Sequence, residues 1–296
     1  MLIYKTKSRI IFEIFNYLLF TVFSLSIVLP FLNIIAISLS SNSAVGSGKV
    51  QFWPVGFHLM AYGKIVTNWG FITSFMNSVF LTVVNTILVV GIALLAGYAL
   101  ASKHMIGKKI FFIYIIIPMY FNGGIIPLYL LVNKLKLTNS YLALILPVII
   151  SPFYIMVFRN NIVNNIPRDL LESAEIDGAG EFTILLKVVI PLLLPVIIAF
   201  SVMSAVTYWN EWYYCLLFIR DNTKWTLQYR VKHILTLYEL TDAPRSPIKM
   251  IKTTEKIHGQ SIRMAALMVS ILPIMLIYPF MQKYFIHGIV VGAVKG

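Results

Sequence analysis

Long apolar runs separated by short polar gaps dominate the pattern along this chain. Six such runs occur, at about 11–39, 72–101, 110–132, 141–160, 186–210 and 262–286. Most reach or exceed the roughly 20 residues that an α-helix needs to cross the hydrocarbon core of a bilayer. They are too long and too uniformly apolar for the alternating strands of a β-barrel, so helices must satisfy the backbone. The pattern therefore predicts an all-α polytopic membrane protein with six transmembrane helices.

Composition agrees with that prediction. The chain is 59% hydrophobic and only 12% charged, with a mean hydropathy of +0.84. Its single cysteine, Cys215, excludes an internal disulfide, and its five histidines show no metal-ligand spacing. The net charge of +13 would suit nucleic acid, but Lys and Arg fall in the gaps between runs instead of forming one stripe. No nucleic-acid partner is expected.

The charges around the first run predict the orientation. Three basic residues precede it: Lys5, Lys7 and Arg9. The run is longer than the apolar region of a signal peptide, which predicts an uncleaved first span. Six spans place both termini on one side, and the positive-inside rule makes that side cytoplasmic.

The gaps between the later runs alternate between the cytoplasmic and the external side in the same way. The second cytoplasmic gap carries three more lysines, Lys103, Lys108 and Lys109. The gap 161–185 is then cytoplasmic, whereas 40–71 and 211–261 are external. The segment 211–261 is nevertheless basic, with eight such residues: Arg220, Lys224, Arg230, Lys232, Arg245, Lys249, Lys252 and Lys256. Because the charge rule weighs short loops, this long one leaves the predicted orientation in place.

Prolines recur inside the runs or at their rims, at Pro30, Pro118, Pro127, Pro147, Pro152, Pro191, Pro195, Pro273 and Pro279. Each removes an intrahelical hydrogen bond and permits a kink. Kinked helices suit a protein that rocks between two states, but prolines are also common in membrane helices generally. Both interpretations stay open.

Few acidic side chains lie in the apolar runs. Glu13 lies at the entry of the first run and Glu211 at the exit of the fifth. Ion-driven carriers usually keep ionisable groups within their spans, so ion coupling is not indicated. The stretch Gly46-Ser47-Gly48-Lys49-Val50 fails the phosphate-loop pattern, because Ser43 and Val50 stand where that pattern needs Gly and Ser or Thr. If transport is active, its energy must arrive through contact with another protein.

One short acidic segment stands out in this basic chain. It holds five of the eleven acidic residues: Asp169, Glu172, Glu175, Asp177 and Glu181. Pro167 predicts the first turn of a short helix that reaches Ile176, in which three of these carboxylates form one edge. An apolar face consists of Leu170, Leu171 and Ala174.

The helix is predicted to end at Asp177-Gly178-Ala179-Gly180, because these residues permit positive φ and close backbone approach. The chain then turns helical again and enters the fifth span. The segment 167–182 is thus either a knob that takes a push from a cytoplasmic partner or a solvated acidic loop.

The spacing of this segment resembles the EAA signature of ABC importer permeases. Glu172-Ser173-Ala174, three residues, Gly178, nine residues and Val188-Val189-Ile190-Pro191 follow that signature, with Ser173, Val188 and Ile190 as conservative departures. In that family the knob is a coupling helix seated in a groove of a cytoplasmic ATPase. The resemblance implies that coupling involves Asp169, Leu170, Leu171, Glu172, Ser173, Ala174, Glu175, Asp177, Gly178, Ala179 and Gly180.

Other stretches resemble the carbohydrate branch of the same family. They are Trp53-Pro54 followed by Tyr62, Trp209-Asn210-Glu211, and the tail His287-Gly288 with Gly292-Ala293-Val294-Lys295-Gly296. The stretch 120–127, YFNGGIIP, is similar to permeases that handle complex oligosaccharides or uronides. The family implies the type I ABC importer (MetI-like) permease fold, with spans 2 to 6 as the core and span 1 wrapping a partner subunit.

Two groups of polar and aromatic residues are candidates for substrate contact. A cluster at the outer end of the fifth run comprises Tyr208, Trp209, Asn210, Glu211 and Trp212, followed by Tyr213 and Tyr214. It is either an interfacial aromatic belt or a stacking surface for sugar rings on the substrate pathway. Asn77 and Asn85, on nearly one face of the second run, are predicted to hold helices together and not to bind substrate.

The expectation is a non-enzymatic permease subunit of an ATP-driven, binding-protein-dependent importer of sugars, with oligosaccharides favoured. It would work in a bacterial plasma membrane with a second, different permease subunit, two ATPase subunits and an extracellular solute-binding protein. ATP and Mg²⁺ would be bound by the ATPases, and no cofactor by this chain. The predicted regions are 1–70 (first span and external loop), 71–290 (permease core) and 291–296 (cytoplasmic tail, which is either solvated or reaches the ATPases). The alternatives are a stand-alone secondary carrier or channel and a scaffold that transports nothing.

Overall fold

The computed structural model describes residues 7–121, 123–242 and 260–293, with side chains described at 7–41, 43–121, 123–236 and 260–279. Every regular element in these ranges is helical, and no strand occurs in them. Expectations that concern Lys5, Asn122, the basic residues of 243–259 or the tail beyond Ala293 lie outside the described residues. The chain divides into two compact units, one formed by Met1–Trp69 and Ile234–Ile271, the other by Gly70–His233 and Leu272–Gly296.

The first unit begins with α1 (Lys7–Ser38), followed by α2 (Asn42–Gly46) and α3 (Met60–Thr67). Side chains of α1 are apolar and largely exposed over most of its length, as expected for a helix that faces lipid. Only its end packs within the unit, where Ala36 and Ile37 contact Ala44 and Val50.

The remaining helices, in chain order, are α4 (Trp69–Ala101), α5 (Lys108–Tyr120), α6 (Ile125–Lys134), α7 (Leu142–Ile145), α8 (Pro152–Asn165), α9 (Arg168–Ile176), α10 (Glu181–Ile184), α11 (Ile190–Trp209), α12 (Tyr213–Phe218), α13 (Leu227–Asp242) and α14 (Gln260–Ala293). Three short stretches complete them: 3₁₀ turns at Leu146–Val148 and Asn222–Lys224, and a π-helical turn at Leu185–Val189.

Four helical stretches of the described chain are long and apolar enough to cross a membrane unbroken: Lys7–Ser38, Trp69–Ala101, Glu181–Trp209 and Gln260–Pro279. Two bent pairs complete the six predicted spans if each pair counts as one: Lys108–Tyr120 with Ile125–Lys134, and Leu142–Val148 with Pro152–Asn165. The all-α polytopic prediction is confirmed.

The two bends have local causes. The third span turns by 116° near Gly124, whose φ of +81° lies in a region that favours glycine. The fourth turns by 46° before Pro152, which is the first residue of α8. Proline is favoured at a helix start and disfavours helical geometry in the residue before it.

Three helices meet closely at one end of the second unit. Gly97 of α4 lies against Phe158 of α8, whose side chain is fully buried. Phe200 of α11 packs edge-on against Tyr154, with 4.7 Å between the ring centroids. Because a small residue lets helices approach in a membrane, Gly97 fixes the contact between α4 and α8.

The fifth span is helical from Glu181 to Trp209, but its second turn is π-helical at Leu185–Val189. Pro191 lies two residues beyond it, and its ring and missing N–H prevent the regular hydrogen bond of an α-helix. A widened turn accommodates this without breaking the helix. The acidic segment is therefore joined to the span by continuous helix from Glu181 onward.

Candidate functional site

The acidic segment forms the short helix that its sequence predicts. Pro167 occupies the N-terminal cap of α9, and Asp169 lies in the first turn, where a negative charge suits the helix dipole. At the other end Gly178 has a φ of +79°, and its N–H donates to the carbonyl of Glu175 at 3.0 Å. A glycine in this conformation after the last turn is a common helix stop.

The apolar face of α9 divides into a packed part and an exposed part. Leu171 and Ala174 pack against the cluster formed by α4, α8 and the start of the fifth span. Leu170 is 43% exposed and Ile176 is 86% exposed. The helix is thus seated on the membrane helices while other apolar side chains remain available to another molecule.

Three carboxylates of the acidic segment contact partners in the last turn of α4 or in the loop that follows it. Lys103 Nζ lies 2.5 Å from Glu172 Oε1, and the Tyr98 hydroxyl donates to Glu181 Oε2 at 2.5 Å. His104 Nε2 lies 3.9 Å from Glu175 Oε2. The Lys103 ammonium, by hydrogen bonding and by its charge, holds the pKa of Glu172 below its usual value. So dense an acidic edge requires positively charged partners. The same chain supplies part of them, and the sequence did not predict this.

A cavity of about 310 Å³ lies beside these contacts. Its lining combines charged side chains of both signs with apolar ones, among them Ile162, Ile166, Leu171 and Ile184. Within the described residues, no group of three or more His, Cys, Asp or Glu side chains is placed to hold a metal ion.

At the opposite end of the fifth span, several of the predicted pathway residues have structural partners. Trp209 is 6% exposed and packs edge-on against Phe75, with 5.6 Å between ring centroids. The Tyr208 hydroxyl donates to the carbonyl of Val148 at 3.2 Å. These contacts hold helix ends together, and the ring of Trp209 is buried whereas that of Tyr208 is half-buried.

Glu211 and Asn210 also bond within the chain. Glu211 Oε1 accepts a hydrogen bond from the N–H of Tyr214 at 2.6 Å, which starts the helix α12. Burial raises the pKa of Glu211 above its usual value. The Asn210 amide donates to the carbonyl of Val206 at 2.8 Å. Both side chains shape the turn after the span.

Trp212 differs from its neighbours because it lies in a partly exposed cluster. The ammonium of Lys232 lies 2.9 Å from the centroid of the Trp212 ring, and Tyr213 packs edge-on at 5.6 Å. Lys232 comes from α13, four residues after Gln228, whose side chain reaches Asn210. This pair was not predicted from the sequence, although the helical spacing of 228 and 232 places them on one face.

Asn77 and Asn85 connect helices, as predicted. The Asn77 amide donates to the carbonyls of Thr223 and Trp225 at 2.8 and 3.0 Å, and its oxygen accepts from the Tyr141 hydroxyl at 2.9 Å. Asn85 donates to the carbonyl of Leu144 at 3.3 Å.

Residues 89–291 match the family described as the binding-protein-dependent transport system inner membrane component. The chain belongs to this family. It is a multi-pass permease subunit of an ABC importer in the bacterial plasma membrane, and it is not an enzyme.

Curated relatives match this permease along nearly its whole length. Protein LplC of Bacillus subtilis (strain 168) is 35% identical over 293 residues, which cover 99% of this chain and 98% of the relative. The polygalacturonan/rhamnogalacturonan transport system permease protein YtcP of the same strain is 36% identical over 290 residues, covering 98% and 100%. Among solved structures, a chain of a bacterial ABC transporter involved in the import of the acidic polysaccharide alginate superposes with a TM-score of 0.85 at 29% identity, covering 95% of this permease and 99% of that chain.

Proposed function

We propose that this permease imports oligosaccharides and receives its driving force through the segment 167–182. ATPase subunits that bind ATP and Mg²⁺ would engage α9, and a second, different permease subunit would complete the pathway across the membrane. An extracellular solute-binding protein would deliver the sugar. Residues 71–290 form the permease core in this proposal, and both termini lie in the cytoplasm.

One observation carries the coupling role. α9 projects Leu170 and Ile176 into solvent while its other face is seated on membrane helices, and the chain re-enters the fifth span as continuous helix. A displacement of α9 is therefore transmitted to the fifth span through helical structure, whereas a flexible solvated loop would not transmit it.

Charge supports the orientation. The side of the membrane that holds α9 also carries Lys7, Arg9, Lys103, Lys108 and Lys109 if spans alternate direction. Short cytoplasmic segments are enriched in Lys and Arg. The end that holds Trp212 and Lys232 then faces outward, where a binding protein would dock.

The substrate class is inferred from relatives. YtcP is named for polygalacturonan and rhamnogalacturonan, another relative for arabino-oligosaccharides, and the alginate importer for an acidic polysaccharide. The candidate substrates are oligosaccharides released from plant or algal polysaccharides, and acidic oligosaccharides are favoured among them. The surface formed by Trp212, Tyr213 and Lys232 offers aromatic rings for sugar faces and an ammonium for a carboxylate.

Reconstitution in proteoliposomes tests this proposal. We expect uptake of oligogalacturonates only when the second permease, both ATPases, the binding protein and ATP are all present. Uptake by this chain alone, driven by a salt or pH gradient, would show a secondary carrier and overturn the proposal. ATP-dependent uptake of a neutral oligosaccharide but not of oligogalacturonates would retain the coupling role and change the substrate class.

A further inference from the structure

The acidic segment makes three contacts with the last turn of α4 and the loop after it, and we call these contacts together the clasp. It consists of the pairs Lys103–Glu172, His104–Glu175 and Tyr98–Glu181. All three carboxylates come from 172–181, and all three partners come from 98–104. The acidic segment is thus joined to the fifth span by the chain itself and to the second span by the clasp.

The end of α4 is held in place by hydrogen bonds and by packing against α8. Lys108 Nζ donates to the carbonyls of Ala101 and Ser102 at 3.3 and 3.0 Å, which satisfies the last turn of the helix. One turn earlier, Gly97 is in close contact with Phe158. Tyr98 of the clasp thus lies in the last turn of α4, and Lys103 and His104 lie in the short loop 102–107, which Lys108 ties to that helix end.

A contribution to the free energy of unfolding does not explain why the clasp is present. Side chains of Lys103 and Glu172 are 52% and 53% exposed, and those of His104 and Glu175 are 73% and 45% exposed. Exposed ion pairs contribute little to the free energy of unfolding. Together they favour one arrangement of the two segments, because an ion pair, a hydrogen bond and a His–carboxylate contact at 3.9 Å link the same two short stretches.

We propose that the clasp couples α4, as well as the fifth span, to the movement that an ATPase imposes on α9. The second and fifth spans then switch together. Tyr98, Lys103 and His104 act as positioning residues. This inference rests on the proposed coupling role of α9. Without the clasp, only the apolar packing of Leu171 and Ala174 would connect α9 to the cluster that includes α4. A ligand can bias only those elements whose contacts differ between its two states, and the clasp adds α4 to them.

The test breaks the clasp from the α4 side only, so that every residue of the acidic segment stays native. The clasp variant carries Tyr98→Phe, Lys103→Gln and His104→Gln. The matched control is Lys109→Gln, which removes another exposed lysine at the start of the next helix. Both are prepared as the full importer with its ATPases.

Two reporter cysteines at the far ends of the two spans measure the response: Trp69→Cys at the start of α4 and Thr207→Cys near the end of α11. Each is introduced singly, and its labelling by a polar maleimide is timed with and without ATP plus vanadate. The native Cys215 is fully buried and adds little background. The reporters need no knowledge of the transported sugar, and they lie at the opposite end of the spans from the substitutions.

In the parent and in Lys109→Gln, we expect ATP to change the labelling of both reporters by about fivefold or more, the lower end of ordinary allosteric coupling. In the clasp variant, the labelling rate of the Thr207→Cys reporter keeps its response to ATP. The labelling rate of the Trp69→Cys reporter changes by less than about twofold. Lys103→Arg, which keeps the ion pair, behaves as the parent.

A full Trp69→Cys response in the clasp variant would overturn the inference, as would no response at this reporter in the parent. Loss of ATPase co-purification in the clasp variant would also overturn it, by placing the end of α4 in the docking surface. If the parent complex assembles but neither reporter responds to ATP, the coupling role of α9 itself fails, and the clasp fails with it.

Discussion

Gly97 and Phe158 lie so close together that a methyl group on Gly97 would come within 2.9 Å of the Phe158 β-carbon. Backbone atoms of Arg159 and Ile155 would lie at 3.0 and 3.1 Å from the same methyl group. This contact brings the end of α4 against α8, one residue before Tyr98 of the clasp. The position of Lys103 relative to the acidic segment thus depends on the absence of a side chain at 97.

We expect Gly97→Ala to destabilise the protein by about 1–3 kcal/mol, the usual cost of overpacking a tight contact. The backbone neighbours cannot move aside as a flexible side chain would. Thermal unfolding of the purified complex in detergent measures the effect. Gly91→Ala in the same helix is the control, because nothing lies within 4 Å of its added methyl group; equal stability of the two variants would contradict the role of Gly97.

Gly178→Val is expected to abolish ATPase docking while leaving membrane insertion intact. A β-branched residue at a φ of +79° costs on the order of 1–2 kcal/mol locally, which the exposed turn can relieve only by changing the end of α9. Co-purification of the ATPase subunits and the amount of permease in the membrane are the two measurements. Gly180→Ala is the matched control, since Gly180 has a φ of −71°. Normal assembly and uptake with Gly178→Val would count against coupling through this turn.

Asn77→Ala should destabilise the loop after α12 by about 1–3 kcal/mol, because it leaves the carbonyls of Thr223 and Trp225 and the Tyr141 hydroxyl without a partner. Tyr141→Phe removes one of these bonds and should cost less. Urea unfolding of both single variants and the double variant gives the coupling between them. Strict additivity of the two effects would show that the pair does not interact.

Glu211 makes stability depend on pH. Burial raises its pKa in the folded protein above the ordinary value of 4.5, so the folded state holds its proton more tightly than the unfolded state. The resulting stabilisation is complete below pH 4.5 and is lost as the pH rises through the raised pKa of the folded state. Glu211→Gln should flatten this decline in thermal unfolding measured from pH 4.5 upward. An unchanged slope in the variant would exclude Glu211 as its source.

Cys215 should resist thiol reagents in the folded protein. Its side chain is fully buried and accepts a hydrogen bond from the N–H of Thr226, and burial raises the pKa of its thiol to about 11. About one molecule in ten thousand would carry a thiolate at pH 7. Mass spectrometry after maleimide treatment should find no adduct until urea unfolds the protein; rapid labelling without urea would contradict this burial.

The sequence predicted the spans because run length alone identifies membrane helices, and it predicted α9 because Pro167 and Gly178 mark both its ends. The bends near Gly124 and Pro152 were not resolved into separate helices, since an apolar run does not show where its backbone turns. The ATPase contact and the sugar pathway stay predictions. Only the arrangement of the pathway side chains could show that Trp209 is buried against Phe75 while Trp212 remains partly exposed.

The clasp could not be predicted for a different reason. Lys103 and Glu172 are 69 residues apart in sequence, and their approach depends on how α4 packs against α8. A pattern of charges shows which side chains need partners but not where those partners come from. Lys232 was missed in the same way, because its contact with Trp212 requires α13 to fold back over the turn after the span.

The π-helical turn at Leu185–Val189 sets the angular phase between the two ends of the fifth span. Each residue of an α-helix advances the chain by about 100° around the axis, and a π turn accommodates one residue more than an α turn would. Removing one residue here would restore a regular α-helix and keep the two ends in their present phase. If the turn instead tightened to α-helical geometry with all its residues kept, everything beyond it would rotate by about 100° around the axis. The indole of Trp209 would then point away from Phe75, while Glu181 would still face Tyr98. A change in the geometry of one helical turn could thus put the two ends of the span out of alignment without altering either one.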